Sequence, residues 1–233
     1  MTLIDSLIEQ GWLKTPRIIE AFRKIKRVDF LPAAPKGGDP RPLYGREDMK
    51  DLAEVNGALS IGYGQTISQP LVVAFMLELL QPKPGDKILD IGAGSGWTGA
   101  LLAHIVSGGE LNEKLKMKNE KLSGKIIAID IVPELVKFGR KNIAKYNFLE
   151  KGIAEFICIN GSKGYKKEAP FDKILCSAEA KEVPQAWKDQ LKIGGRIVTP
   201  IGSSIWLFIK KSSQQFQEKE YPGFVFVPLI NKD

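Results

Sequence analysis

The stretch ILDIGAGSGWTGALLA, residues 88–103, runs from an apolar segment through Gly92-Ala93-Gly94-Ser95-Gly96 into a second apolar segment. The apolar run at 87–91 has the length of a buried strand, and 97–106 has the length of a helix. The glycine-rich turn then lies at the carboxyl end of a strand and the amino end of a helix. Small residues let the backbone turn sharply and come close to a ligand. The first turn of a helix offers N–H groups that lack intrahelical partners. In open parallel sheets, ligands sit at that end of the strands.

Working outward, apolar strands alternate with helices. Strands are expected at 87–91, 125–131, 154–159, 171–178, 195–201, 205–211 and 223–229, and helices at 97–106, 133–146 and 183–191. Continuous apolar strands separated by helices predict an α/β fold, a mainly parallel seven-stranded sheet with helices on both faces. The last three strands leave no room for crossover helices, so they pair antiparallel or lie at an edge. Upstream, Pro16 opens a helix over 16–26 with Ile18, Ile19, Phe22 and Ile25 on one stripe. A long irregular segment covers 33–56, with a short helix at 47–54, and Pro70 opens a helix that stops before Pro82. The expected organisation is one domain over 1–233. Residues 1–80 form a helical and loop-rich cap, and 81–233 form the α/β core.

The bulk numbers narrow the function. The chain has 233 residues and a formal net charge of +7. Its lysines are spread out, and the densest group, at 110–125, is interleaved with glutamates, which reads as a solvated insertion and not a nucleic-acid stripe. No run reaches the roughly 18 apolar residues of a membrane span, and the amino terminus lacks the features of a signal peptide. Cys158 and Cys176 sit in apolar runs and read as buried free thiols, which points to the cytoplasm. The one histidine, His104, falls within a helix and reads as a packing residue. No paired ligand cluster suggests a metal, and no nucleophile motif suggests hydrolysis.

Two cofactor classes compete for the glycine loop. Gly94 to Gly99 fits G-x-G-x-x-G, the dinucleotide fingerprint, yet the glycine that directly follows the strand is Gly92, which gives G-x-G-x-G. Asp90 next to the loop is a poor neighbour for a pyrophosphate and a good one for a cationic cofactor, such as a sulfonium with an amino-acid tail. Asp130, at the end of the next strand, can accept hydrogen bonds from ribose hydroxyls. Asp130 alone does not separate NAD from S-adenosylmethionine; Asp90 and the G-x-G-x-G spacing favour the latter.

Several segments together resemble the protein-L-isoaspartate (D-aspartate) O-methyltransferases: VDFLP (28–32), SIGYGQTISQPLVVAFMLELL (60–80), the glycine loop, APFDKILCSAEAKEVPQAWKDQLKIGGRIVTPIG (169–202) and FVPL (226–229). The resemblance spans nearly the whole chain. The GQTISQP cluster with the terminal FVPL is its most specific part. It implies a Rossmann-like class I S-adenosylmethionine-dependent methyltransferase that acts on the free carboxylate of isoaspartyl residues in damaged proteins and peptides. Its product would be S-adenosylhomocysteine, and the enzyme is expected to be a monomer.

The same resemblance implies residue roles. Ser68 would lie beside the methyl donor and the accepting carboxylate, with Thr66, Ile67 and Gln69 shaping that pocket and Val227, Pro228 and Leu229 lining the substrate side. Gly92, Ala93, Gly94, Ser95 and Gly96 would bind the cofactor, Asp130 its ribose, and Ile131, Asn160 and Gly161 its adenine; Asp90, from its place beside the loop, is expected near the cofactor amine. Asn56, Ser60 and Asn160 depart from the usual family pattern. A related methyltransferase with another acceptor is the alternative reading.

Such chemistry needs little catalytic equipment. A carboxylate is already ionised at neutral pH, and the donor brings its own activation. The protein has to align oxygen, carbon and sulfur and keep water out.

Overall fold

A computed structural model describes residues 1–32, 49–109 and 124–230. The expected irregular segment lies outside the described residues as far as 48, as do residues 47–48 of the short helix. The charged insertion does so from 110 to 123.

The amino-terminal part carries α1 (Leu3–Glu9), α2 (Pro16–Lys24), a 3-10 turn at Arg27–Phe30, α3 (Met49–Ala53), a hairpin of β1 (Leu59–Gly62) and β2 (Gln65–Ile67), and α4 (Pro70–Leu80). The rest carries β3 (Lys87–Ile91), α5 (Trp97–Val106), β4 (Lys125–Asp130), α6 (Pro133–Ala144), β5 (Ala154–Cys158), β6 (Phe171–Cys176), α7 (Gln185–Gln190), β7 (Leu191–Ile201), β8 (Ser204–Lys210) and β9 (Phe216–Pro222). Pro16, Pro70 and Pro133 each sit in the first turn of their helix, where no N–H is needed.

β3 to β9 form one seven-stranded sheet in the order β5-β4-β3-β6-β7-β8-β9. The five strands β3 to β7 pair in parallel, and β8 and β9 join antiparallel. The chain works outward from β3 to β5 and then returns to place β6 on the other side of β3. The direction of winding therefore reverses between β3 and β6, which in open α/β sheets opens a crevice at the carboxyl ends.

Strand residues alternate between two apolar clusters. Ile88, Ile126 and Ala128 face α1, α2, α4, α5 and α6, whereas Leu89, Ile91, Ile127 and Ile129 face α7 with Phe171, Ile174 and Trp187. Burial on both sides is why these strands read as unbroken apolar runs. The covering is unequal, with most helices on the first face. Residues of the cap, such as Leu7, Phe22 and Leu77, belong to the same cluster as sheet residues Ile88 and Val198.

Two expectations need correction. The seventh strand is not 223–229 but Phe216–Pro222, whose sequence FQEKEYP is charged and mostly exposed. Charge suits an edge strand, which must repel other edges, and it hides the strand from an apolar search. Gly223 has φ of +97°, and the N–H groups of Gly223 and Phe224 both donate to the Ser203 carbonyl. The chain there leaves the sheet and crosses its carboxyl end. Cys158, the last residue of β5, is exposed rather than buried; Cys176 is buried as expected.

Candidate active site

The glycine loop is pinned before any ligand arrives. The N–H groups of Gly92 and Ala93 donate to the Ile129 carbonyl at 2.9 and 3.1 Å. The Gly94 N–H donates to Asp130 Oδ2 at 2.9 Å, and Asp130 Oδ1 accepts from the Val132 N–H at 3.0 Å. From α6, the Asn142 side-chain amide donates to the Ser95 carbonyl at 3.0 Å. Gly92, Gly94 and Gly96 have φ of +73°, +49° and +85°, the left-handed region that glycine enters without strain. A Cβ on Gly96 would lie 2.9 Å from the Gly139 carbonyl oxygen of α6. Loop and helix are in backbone contact.

Above this loop, at the reversal between β3 and β6, lies a cavity open to solvent. Of the residues expected at the site, Thr66, Ile67, Ser68, Gly92, Ala93, Gly94, Ser95, Asp130, Ile131, Gly161, Val227, Pro228 and Leu229 line it together. Four others stand outside the wall. Gln69 turns away, and its side-chain amide donates to the Asn56 carbonyl at 3.1 Å. Gly96 supports the loop from behind through α6. Asn160 Oδ1 accepts from the N–H and hydroxyl of Ser162 at 2.9 and 2.8 Å, which shapes the turn that carries Gly161.

Asp90, the fourth, is fully buried beneath the loop. Its Oδ2 accepts from the Thr98 hydroxyl at 3.0 Å, and Thr98 itself lines the cavity. Oδ1 has no hydrogen-bond partner among the described residues. Burial pushes this carboxyl up to about 7; the Thr98 bond opposes the shift and the Asp130 charge adds to it. Burial also raises Asp130, against the backbone N–H groups of Val132 and Gly94, which hold it down. Asp130 in the wall and Asp90 beneath the loop put two acidic groups at this end of the cavity, an arrangement that suits a cation. The loop glycines leave room for close approach, and Asp130 keeps lone pairs for ribose hydroxyls. The residues present therefore fit an adenosyl sulfonium.

The acceptor side is built by the cap and the carboxyl-terminal strap. Ile61 of the β1–β2 hairpin reaches the loop, since its Cδ1 would lie 3.4 Å from a Cβ on Gly94. The strap is tied by two backbone bonds, Glu179 N–H to Val227 at 2.8 Å and Leu229 N–H to Glu179 at 2.7 Å. Glu179 thus acts through its main chain and is absent from the cavity wall. Phe224 stacks on Phe75 of α4 with ring centroids 5.4 Å apart, which fixes the near end of the strap.

Other residues were not foreseen as wall. Ser177 and Ala178 follow β6, and Val132 and Leu135 follow β4; all four line the cavity. Their only sequence signal is position after a strand, and that counts only once β6 is known to lie beside β3. Trp97 lines the cavity and also packs edge-on against Phe22 at 5.6 Å. Trp187 lies in the core, and its indole N–H donates to the Gly161 carbonyl at 2.8 Å. Asp172 is at the amino edge, accepting from the Lys87 N–H and paired with Lys192, far from this chemistry. His104 pairs with Glu20 at 3.0 Å, joining α5 to α2.

A family model described as Protein-L-isoaspartate(D-aspartate) O-methyltransferase matches residues 1–233. A protein-L-isoaspartate O-methyltransferase of Methanopyrus kandleri is 36% identical over 235 residues, covering 99% of this chain and 91% of that one. Protein-L-isoaspartate O-methyltransferase 2 of Archaeoglobus fulgidus is 38% identical over 216 residues, covering 91% and 84%. A crystal structure from Plasmodium falciparum, described as a beta-aspartate methyltransferase in complex with S-adenosyl-L-homocysteine, superposes with a TM-score of 0.76 at 22% identity, covering 98% and 96%.

Proposed function

We propose, from the premise that this chain belongs to the protein-L-isoaspartate(D-aspartate) O-methyltransferase family, a division of labour within this cavity. The chain is an S-adenosylmethionine-dependent methyltransferase that acts on isoaspartyl residues of proteins and peptides. The observation that carries the residue assignment is that Thr66–Ser68 and Gly92–Ser95 line the same cavity, with Asp130 beside them.

When bound, S-adenosylmethionine supplies an activated methyl group on its sulfonium. Gly92, Ala93, Gly94 and Ser95 hold its amino-acid side, Asp130 the ribose, and Ile131 and Gly161 the adenine. Gly96 and Asn160 act from behind as supports of that surface. Asp90, under the loop, balances the positive charge without touching the acceptor. Ser68 donates its hydroxyl hydrogen to one oxygen of the accepting carboxylate and leaves the other free to attack. A lone hydroxyl orients that group without the tight hold that a lysine or arginine would impose. The main-chain groups of Val227, Pro228 and Leu229 border the incoming polypeptide, and Ile67 and Thr66 exclude water from the nucleophile. Gln69 contributes only by fixing the loop behind Ser68.

The departures at Asn56 and Ser60 leave the cavity wall unchanged. Asn56 Oδ1 accepts from the Leu71 N–H at 3.0 Å at the start of α4, and Ser60 Oγ accepts from the Gly62 N–H at 3.4 Å. Neither lines the cavity, so both serve the backbone. The shared apolar cluster supports reading the cap (1–80) and core (81–233) as one domain. Among the described residues no helix is long and apolar enough to cross a membrane.

The test uses labelled S-adenosylmethionine with matched peptides that carry isoaspartate or normal aspartate. Base-labile transfer to the isoaspartyl peptide alone is the expected result. Equal transfer to both, or to neither, overturns the acceptor assignment. A Ser68→Ala enzyme with unchanged turnover and peptide affinity overturns the role of Ser68.

A further inference from the structure

Ser68 occupies a place that no regular element fixes. It follows the last residue of β2 and precedes Gln69, the N-cap of α4, so neither the sheet ladder nor the helix ladder sets its position. A residue that orients an acceptor within a fraction of an ångström needs some other restraint.

That restraint comes from the other end of the cap. Arg27 opens the 3-10 turn after α2 and is only 6% exposed. Its Nη1 donates to the carbonyls of Ala53 and Val55 at 3.4 and 2.8 Å. Its Nη2 donates to those of Gly57 and Ser68 at 2.7 and 3.3 Å. The guanidinium carbon also lies 5.5 Å from the ring centroid of Trp97, the first residue of α5 and part of the cavity wall. A planar fork with several donors can reach carbonyls on separate segments and still stack on an indole; an ammonium cannot do both.

The loop that Arg27 grips also grips Ser68's neighbours. Asn56 accepts through its carbonyl from the Gln69 side chain and through Oδ1 from the Leu71 N–H. Ser68 is therefore held from two sides, through its own carbonyl and through the residues that follow it.

We propose that Arg27 is a positioning residue for methyl transfer, fixing Ser68 of the acceptor side relative to Trp97 of the donor side. It touches neither reactant. This rests on the reading that Ser68 orients the accepting carboxylate. Arg27 sets the distance between the two walls and so acts on turnover rather than on donor binding.

The experiment is a double-mutant cycle on the full-length enzyme with Arg27→Lys, Ser68→Ala and the pair. Turnover is read at saturating S-adenosylmethionine and isoaspartyl peptide, S-adenosylhomocysteine affinity by calorimetry, and folding by thermal midpoint. Misplacement by about 1 Å costs on the order of a hundredfold, so Arg27→Lys is expected to lower kcat by roughly ten- to a hundredfold. Product affinity and peptide KM should move by less than about threefold, and the double variant should be no slower than Ser68→Ala within about threefold, since residues acting through one geometry are not additive. If Arg27→Lys does not fold, Arg27→Ala with added methylguanidinium takes its place, and partial recovery of kcat is the expected result.

Wild-type kcat in Arg27→Lys overturns the proposal, as does a loss that multiplies with that of Ser68→Ala or one matched by an equal loss of product affinity. Failure of methylguanidinium to restore any turnover to Arg27→Ala does the same. If Ser68→Ala alone turns over normally, the underlying reading of Ser68 falls and takes the proposal with it. The single variants distinguish the two failures.

Discussion

A Cβ on Gly139, in the middle of α6, would lie 2.7 Å from the carbonyl oxygen of Gly94 in the glycine loop. The same atom would lie 2.6 Å from the ring of Phe156. Loop, helix and β5 meet at a point where there is no space for a side chain.

Replacing glycine by alanine inside a helix ordinarily stabilises by about 0.5–1 kcal/mol. Gly139→Ala is expected to reverse that sign. Overpacking costs about 1–3 kcal/mol, and the displaced Gly94 should weaken S-adenosylhomocysteine binding at least about tenfold. Chemical denaturation and calorimetry check this, with exposed Lys137→Ala on the same helix as a control that changes neither. A Gly139→Ala protein as stable and as tight as the wild type would show that the loop does not rest on α6.

Asp130 uses both oxygens on backbone N–H groups, those of Gly94 and Val132. Asparagine has the same shape but a single acceptor oxygen. Asp130→Asn should lose one of the two bonds, at about 1–3 kcal/mol of stability, and should bind S-adenosylhomocysteine more weakly. An unchanged denaturation midpoint with unchanged affinity would refute the brace.

Asp90 links stability to pH. Its carboxyl is raised from 3.8 to about 7 by burial, so the folded protein holds this proton more tightly than the unfolded chain does. The stability it contributes is fully present below about pH 4 and is lost as the pH rises through about 7. Asp90→Asn does not titrate. Without ligand, urea midpoints of the wild type should therefore decline relative to those of the variant between about pH 4 and 8. Parallel profiles would contradict the buried, half-paired carboxyl.

The strap depends on the Leu229 N–H, which donates to the Glu179 carbonyl at 2.7 Å. Leu229→Pro removes that donor, and loss of one hydrogen bond corresponds to roughly tenfold in an equilibrium. Peptide KM should rise by about that factor while kcat at saturation stays within about threefold. An unchanged KM would separate the strap from substrate binding.

The reach of the sequence is plain from particular residues. The Gly92–Gly96 spacing, Asp130 at a strand end, GQTISQP before Pro70 and the terminal FVPL all announce themselves locally. The structure brings them around one cavity. Gly139 left a faint mark, since a glycine inside the helical pattern PELVKFGRKNIA has to be explained by packing or function. Asn142 and Arg27 left none. They look like any polar residue of a surface helix or turn, and only their partners, Ser95 and Ser68, give them meaning. β9 was missed for the opposite reason, because its charged composition reports exposure at an edge and says nothing of the ladder it completes.

By itself, the order of residues determined most of the segments that would be strand or helix, β9 and the β1–β2 hairpin excepted, where the chain would turn on glycine, and which chemistry the turn could host. Those properties depend on backbone freedom and on burial at a fixed period, and both are written within a few neighbours. The tertiary structure alone decided that β6 lies beside β3, that residues 223–230 leave the sheet to border the cavity, and that a buried arginine spans its two walls. Such features are contacts between segments tens of residues apart, selected by the packing of the whole core, and no local pattern encodes them.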